Sequence, residues 1–188
     1  AARVALGMGA QVTVVSRSPQ RLRELSDIYG ERIITFISNK FNLAKVVEYS
    51  DLLISAVLLP GARAPRLVSE DMVKSMKNGS VILDVSIDQG GAVETIDRET
   101  THANPTYKKH GVIHYAVPNM PGAVPRTATV SLTNATMPYI QDLAQKGVEA
   151  FKEDPTLAKG VNVFKGEITN QAVAEAQGLP YVPLEELW

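Results

Sequence analysis

The 188-residue chain contains no cysteine, which excludes disulfides and thiolate metal sites. It also lacks an excess of either charge: 19 Lys and Arg stand against 20 Asp and Glu, a net charge of -1. Nothing in that balance points to a nucleic acid or an anionic membrane as a partner. No apolar run approaches the length of a bilayer span, and no charged-then-apolar signal segment opens the chain. A cytoplasmic location is the default expectation that follows. The three histidines, His102, His110 and His114, show no ligand spacing with carboxylates. They read as exposed loop or hydrogen-bonded strand positions, with no metal and no catalytic role assigned to them. What is present is ordinary for a globular fold: 45% hydrophobic and 21% charged residues, enough chain for one domain or one domain with part of another.

The hydrophobic pattern alternates between two periods. Gln11 to Val15 is β-rich, and Pro19 to Tyr29 then reads as a helix with Leu22 and Leu25 on one face. Arg32 to Ile37 is a second strand, Leu43 to Tyr49 a short helix, and Asp51 to Leu59 a nearly continuous apolar strand. Ser69 to Met76 reads as a helix with Ser69 as its N-cap, and Val81 to Val85 and Val112 to Val117 are further strands. Strands apolar on both faces and separated by helices predict a parallel sheet covered on both sides, the doubly wound α/β (Rossmann-type) class. After Pro125 the pattern changes. Thr127 to Phe151 reads as one long helix, with Pro138 and Gly147 as the points where it would kink. Glu167 to Gln177 reads as a last helix, capped by Gly178 and stopped by Pro180. The expected division is a nucleotide-binding domain over residues 1–125 and a helical segment of a second domain over 126–188.

A dinucleotide site on such a sheet needs a glycine-rich turn between the first strand and helix, where backbone N–H groups meet the pyrophosphate. No G-x-G-x-x-G occurs, and Gly7-x-Gly9 follows a helical segment instead of a strand. The chain also opens on a helical pattern, Ala1-Ala2-Arg3-Val4-Ala5-Leu6, with no capping residue before it. The expectation is an incomplete sheet, with the first strand and its turn lying upstream. The end of the next strand lacks something else: the acidic residue that bonds a ribose 2′-OH in NAD-binding folds. In its place stand Ser16-Arg17-Ser18-Pro19-Gln20-Arg21. Arginine would attract a 2′-phosphate that aspartate would repel, so Ser16, Arg17 and Arg21 lean towards NADP. Read without that role, the same residues make a solvated polar turn.

Four blocks carry a family resemblance: Ala56-Val57-Leu58-Leu59-Pro60-Gly61-Ala62-Arg63-Ala64-Pro65; Asp84-Val85-Ser86-Ile87-Asp88-Gln89-Gly90-Gly91; Val117-Pro118-Asn119-Met120-Pro121-Gly122-Ala123-Val124-Pro125-Arg126-Thr127; and Leu132-Thr133-Asn134-Ala135-Thr136. In that order they resemble the C-terminal half of the alanine dehydrogenases, a family similar to the nucleotide-binding subunit of proton-translocating transhydrogenase. The resemblance implies a two-domain subunit, commonly a homo-hexamer, that interconverts L-alanine with pyruvate and ammonium using NAD or NADP. It also implies that a catalytic His and a substrate-binding Lys and Arg belong to an N-terminal domain. The 188 residues alone would then not complete the reaction.

The candidate site residues follow. Asp88 stands just past a buried strand, at the edge where open α/β sheets bind ligands. The resemblance makes it the active-site carboxylate, contacting the nicotinamide ribose and assisting proton transfer; a loop aspartate bonding its own backbone is the alternative. The resemblance has Asn119, in a proline-bracketed loop, donate its amide to a substrate carboxylate or to the nicotinamide carboxamide, a turn-forming Asn being the alternative, while Met120 either packs near the ring or serves as loop core. Val57 and Leu58 would lie beneath the dinucleotide through backbone contacts, plain core being the reading of their side chains alone, and Ser86, Ile87, Val117 and Pro118 are further cofactor-binding candidates. Ser38 would face the adenine ribose or else serve as a turn residue before a helix, and Arg98 would approach the phosphates, although the spacing near Thr95-Ile96-Asp97 departs from the family pattern. Gly90 and Gly91 would allow close backbone approach to the cofactor. Two rival readings share this architecture. One is a transhydrogenase-type module, against which Ile87-Asp88-Gln89 and Asn119-Met120 speak; the other is a related imino-acid or saccharopine-type dehydrogenase.

Overall fold

The structure, a computed structural model, describes residues 1–188. Helix α1 (Ala2–Gly7) leads into strand β1 (Val12–Ser16), and α2 (Pro19–Tyr29) carries the chain to β2 (Ile33–Ile37). The start of α2 is set locally. The Ser18 hydroxyl accepts the Arg21 N–H at 3.2 Å, and Pro19 occupies the first helical position, where no N–H is needed. Then follow α3 (Lys40–Tyr49), capped by Asn39, β3 (Leu52–Ser55), α4 (Glu70–Ser75), capped by Ser69, β4 (Val81–Asp84), β5 (Thr106–Lys109) and β6 (Val112–Tyr115).

The parallel strands fall into two blocks. β1 pairs with β2, and β3, β4 and β6 pair in that order, with β5 antiparallel at the edge. No ladder joins the blocks, so β1 and β3 each keep one unpaired edge. This interrupted parallel sheet agrees with the Rossmann-type class and with the expectation of an unfilled strand position. The expected cover on both faces is not found. One face of the larger block buries Ile82 and His114 against α3, α4 and the loop after β4, in a core with Val47, Val68, Met72, Val73, Ile87, Val93, Ile96 and Val112. On the other face, strand alternation lines up Leu52 and Ile54 (exposed) with Val81, Leu83, Ile113 and Tyr115 (half-buried). The strands are apolar on both sides, but only one side is packed within these residues.

Several element boundaries differ from the sequence reading. The strand expected over Asp51–Leu59 stops at Ser55, where its ladder ends opposite Asp84, the last residue of β4; Pro60 and Gly61, at φ +73°, turn the chain further on. Thr106–Lys109, not expected as a strand, forms a hairpin with β6 through His110 and Gly111, both at positive φ as a tight two-residue turn requires. The long helix divides into α5 (Pro125–Lys146) and α6 (Glu149–Glu153) at Gly147, φ +59°, while Pro138 is held inside α5. Near Pro138 the Thr133 and Thr136 hydroxyls bond carbonyls one turn back, those of Thr129 and Leu132, both at 2.9 Å. No residue of α5 is buried. After α7 (Pro155–Ala158), the residues expected to start the last helix instead make a hairpin of β7 (Val163–Phe164) and β8 (Glu167–Ile168). The helix itself, α8 (Gln171–Gln177), begins only after Asn170 caps it. A second small core joins the rings of Phe151, Phe164 and Trp188, and Ala150, Ala174 and Leu184 are the other buried apolar residues after Pro125.

His114 is the one ionisable imidazole sealed in the main core. Its Nδ1–H donates to the Val112 carbonyl at 3.1 Å, so its Nε2 is left to accept the Thr95 hydroxyl at 2.7 Å. Its ring stacks on Tyr107 at 5.1 Å. Burial lowers its pKa, opposed by the hydrogen bond to the Val112 carbonyl and by Asp97, while Lys109 and His110 act with burial. Between the ordinary value and the lowered one, the unfolded chain binds a proton that the folded chain refuses. Stability from this group is therefore complete above the unfolded pKa and is lost as pH falls through it. We expect the urea midpoint to fall between pH 7 and pH 5.5, with a slope of at most about 1.4 kcal/mol per pH unit. The His114→Gln variant should be less stable at pH 7 and flat over that interval. An equal slope in the variant would assign the effect to another group.

Candidate cofactor and active site at the carboxyl edge

The site is built on three loops that leave the carboxyl ends of β3, β4 and β6. The loop after β4 is closed by the last residue of its strand. Asp84 is fully buried; its Oδ1 accepts the Ser86 N–H at 2.9 Å and its Oδ2 accepts the Ala92 N–H at 2.7 Å. One carboxylate thereby ties both ends of residues 85–91. Inside the loop the Gly90 N–H bonds the Ile87 carbonyl and the Gly91 N–H bonds the Ser86 carbonyl, each at 2.9 Å. Gly91 is required twice over. Its φ is +76°, and a Cβ there would stand 3.0 Å from Asp84 Oδ2 and 3.3 Å from Arg66 Nη1. The close approach that this glycine permits is to Asp84, within the protein. Ile87 is buried beneath the loop, and Asp88 is presented to solvent at its crest.

The loop after β3 is laid along this one. The Val57 N–H donates to Ser86 Oγ at 2.7 Å, the Leu59 N–H to Gln89 Oε1 at 3.3 Å, and the Ala64 N–H to the Gln89 carbonyl at 2.9 Å. The Val57 amide is therefore committed inside the protein, while the Leu58 side chain is 70% exposed. The loop after β6 carries Val117 (buried), Pro118 (half-buried), Asn119 (exposed) and Met120 (half-buried). Asn119 adopts the left-handed conformation, φ 52° and ψ 49°, and its carbonyl accepts the Gly122 N–H at 2.9 Å. His102, read from sequence as a plain loop position, reaches the same carbonyl with Nε2 at 3.2 Å.

The block of β1 and β2 supplies the other candidates. Ser38 N–H donates to the Ser16 carbonyl at 2.9 Å, so the two serines meet at adjacent strand ends. Ser16 Oγ accepts the Ser18 N–H at 3.2 Å. Arg17 is exposed, whereas the Arg21 guanidinium is paired with Glu24 at 2.8 Å in an exposed ion pair. Arg98 is held elsewhere. It lies 4.1 Å over the Tyr107 ring and bonds Asp97, whose carboxyl the neighbouring Lys109 holds below the usual range. Hydrogen bonds thus join Val57, Ser86, Ile87 and Gln89 in one assembly and Ser16 with Ser38 in another, while Arg98 belongs to the β5 edge. The roles of Asp84, Gln89 and His102 were not read from the sequence. Asp84 had a visible signal, a lone carboxylate closing an apolar strand before a glycine pair; His102 had none.

A buried acceptor exchanged for a donor leaves a backbone N–H unsatisfied, which costs about 1–3 kcal/mol. Asp84→Asn should lower unfolding stability by that order in urea titration, whereas Asn at the exposed Asp88 should leave it within about 0.5 kcal/mol. Equal stability of Asp84→Asn and the parent would show that the loop does not depend on this carboxylate.

The family model for the alanine dehydrogenase/PNT C-terminal domain matches residues 1–171. The alanine dehydrogenase of Lysinibacillus sphaericus is 58% identical over 185 residues, covering 98% of this chain and 50% of that protein. Alanine dehydrogenase 2 of Staphylococcus aureus (strain USA300) is 58% identical over 187 residues, covering 99% and 50%. Among solved structures, an L-alanine dehydrogenase superposes with a TM-score of 0.83 at 47% identity, over 94% of this chain and 49% of that one. The transhydrogenase from Sinorhizobium meliloti gives 0.70 at 22% identity, covering 91% and 46%, a likeness of fold alone. This chain spans about half the length of the curated relatives it matches. With the interrupted parallel sheet and the linked carboxyl-edge loops already described, these matches place the chain in the alanine dehydrogenase/PNT C-terminal domain family.

Proposed function

We propose that this chain is the nucleotide-binding half of an L-alanine dehydrogenase that interconverts alanine and pyruvate with NAD or NADP. The observation that carries the reading is Asp88 held at the crest of a rigid loop, on a chain 58% identical to alanine dehydrogenases. In this reading residues 1–125 bind the nucleotide and 126–188 return to a substrate domain. The working protein is a cytoplasmic homo-oligomer, a hexamer, and a second domain supplies the remaining substrate contacts.

The residues present suit a nicotinamide nucleotide. Ser16 and Ser38 stand at adjacent strand ends, and the carboxyl-edge loops carry Leu58 and Asn119 exposed, Pro118 and Met120 half-buried, and Ser86, Ile87 and Val117 buried behind them. The bound nicotinamide supplies the acceptor for the hydride of the amino acid's α-carbon. Asp88 carries protons: it takes one as water adds to the imine of the substrate and returns it as ammonia leaves. Asn119 donates an amide N–H to the substrate carboxylate or to the carboxamide, which orients the reacting carbon. Arg17 pairs with a 2′-phosphate, since no carboxylate stands at the end of β1 to repel it. Arg21 joins it only by leaving Glu24, and Arg98 only by leaving Tyr107.

Three measurements test this in a chimaera in which residues 1–188 replace the matching half of the Lysinibacillus sphaericus enzyme. The chimaera should reduce cofactor in the presence of alanine with no membrane component added; inactivity of a folded chimaera would overturn the assignment. Asp88→Asn should lower kcat by roughly 10²–10⁴-fold while the unfolding midpoint stays in place. Finally, kcat/KM should favour NADP over NAD. Ser16→Asp combined with Arg17→Ile should swing that ratio by about tenfold or more, because a bond to a charged group is worth on the order of 1.5–3 kcal/mol. Strong NAD selectivity in the parent chimaera, or an unchanged ratio in the double variant, would reduce this turn to a solvated loop.

A further inference from the structure

We propose that His102 is a positioning residue that fixes Asn119, and through it the grip on the carboxylate of an amino or 2-oxo acid. The inference rests on the role given to Asn119 above and adds a residue that no block of the sequence points to.

The geometry has three parts. First, Asn119 needs holding. It is one of three non-glycine residues in the left-handed region, and its own side chain makes no capping bond to the short helix that follows it. A side chain on such a backbone points wherever the peptide on either side is fixed. Second, the Asn119 carbonyl has two donors from different places. One is local, the Gly122 N–H at 2.9 Å; the other comes from 17 residues upstream, His102 Nε2 at 3.2 Å. The imidazole and the Asn119 amide converge on Gly122: a Cβ there would stand 3.3 Å from His102 Nε2 and 3.3 Å from Asn119 Nδ2. Any residue but glycine at 122 would press on both groups.

Third, His102 is itself held. Buried Thr100 donates its N–H to the Ala116 carbonyl at 2.9 Å and accepts the Ala116 N–H on Oγ1 at 3.2 Å. Its hydroxyl donates to the Pro105 carbonyl at 2.9 Å. Within the turn, the Asn104 N–H bonds Thr101 Oγ1 at 3.1 Å. The 100–105 segment is therefore strapped to the strand end from which the Asn119 loop departs. His102 bridges from a fixed turn to the carbonyl that sets the direction of the Asn119 amide. Its nitrogen makes no contact with the reacting atoms in this scheme; it acts through Asn119 alone.

The test uses the chimaera and the 188-residue chain together. His102→Phe keeps a flat ring and removes the donor; His102→Gln keeps an N–H donor. In the chimaera, His102→Phe should raise KM for alanine and for pyruvate by roughly 2- to 10-fold with kcat changed less, the scale of one lost hydrogen bond. His102→Gln should recover most of that loss. On an Asn119→Ala background His102→Phe should have no further effect, because nothing remains to be positioned. Unchanged KM in His102→Phe, or an equal loss in both substitutions, overturns the proposal. A full effect of His102→Phe without the Asn119 amide overturns it as well. If Asn119→Ala leaves KM unaltered in an active chimaera, it is the role of Asn119 that fails. In the 188-residue chain, amide exchange at Gly122, which shares that carbonyl, should quicken in His102→Phe and return in His102→Gln. Identical exchange in all three would overturn the bridge without reference to any activity.

Discussion

A carboxylate with no access to water is the constraint on which the carboxyl edge depends. Asp84 closes β4 with both oxygens buried, and a charge so placed is tolerated only where donors satisfy it. The donors here are the backbone N–H groups of Ser86 and Ala92. To bring both to one carboxylate, residues 85–91 must fold back on themselves, and that return passes through Gly90 and Gly91 at positive φ. The folded loop then offers Ser86 Oγ and Gln89 to the backbone of the neighbouring loop. One unavoidable hydrogen-bond requirement propagates from a strand end to two loops. Asp88 owes its place to that closure and not to any bond of its own.

The balance of forces differs between this edge and the outer surface. The ion pairs are between partly or fully exposed side chains, including Arg21 with Glu24 and Lys74 with Glu70 and Asp71. Such pairs contribute about 0–1 kcal/mol and are weakened by salt. They can be given up to a ligand at little cost, which matters for Arg21. The buried bonds of Asp84, Ser86 and His114 cannot be surrendered so cheaply. The groups proposed to bind ligand, Arg17, Asp88 and Asn119, thus sit on the exposed, exchangeable side of the molecule.

How much of this was legible follows from the range over which each signal acts. Pro19–Tyr29 was read to the residue, because its cap, its proline and its apolar stripe are all local. The α/β alternation and the parallel pairing were equally plain. The third strand was read four residues too long, since apolar character persists through Val57-Leu58-Leu59 after the ladder has ended. Glu167–Ile168 was read as helix because its composition suits either state, and only pairing with Val163–Phe164 decides it. The second face of the sheet shows the limit of periodicity: an apolar strand announces that it can be covered, not what covers it. The proposed site residues Asp88 and Asn119 stand on contiguous motifs that the sequence displays. Arg98 is placed near the phosphates by the family pattern, from which its local spacing departs, and the Tyr107 ring beneath it becomes a neighbour only through the β5–β6 hairpin.

The same reasoning explains why the supporting groups are the hard ones to find. A residue that touches ligand tends to stand in a short motif, since the loop that presents it must have a particular shape. A residue that supports it need only arrive from anywhere with the right donor. His102 reaches Asn119 across 17 positions, and Ser86 reaches Val57 across 29. Neither spacing is periodic, and neither residue type is unusual for a loop. Yet precision at a site depends on such partners, because a group misplaced by about 1 Å loses much of its effect on rate. In this chain the exposed groups Asp88 and Asn119 are each aimed by one buried or strapped partner, Asp84 for the first and the Thr100-anchored His102 turn for the second. Sequence motifs mark the groups that are aimed; three-dimensional structure identifies what aims them.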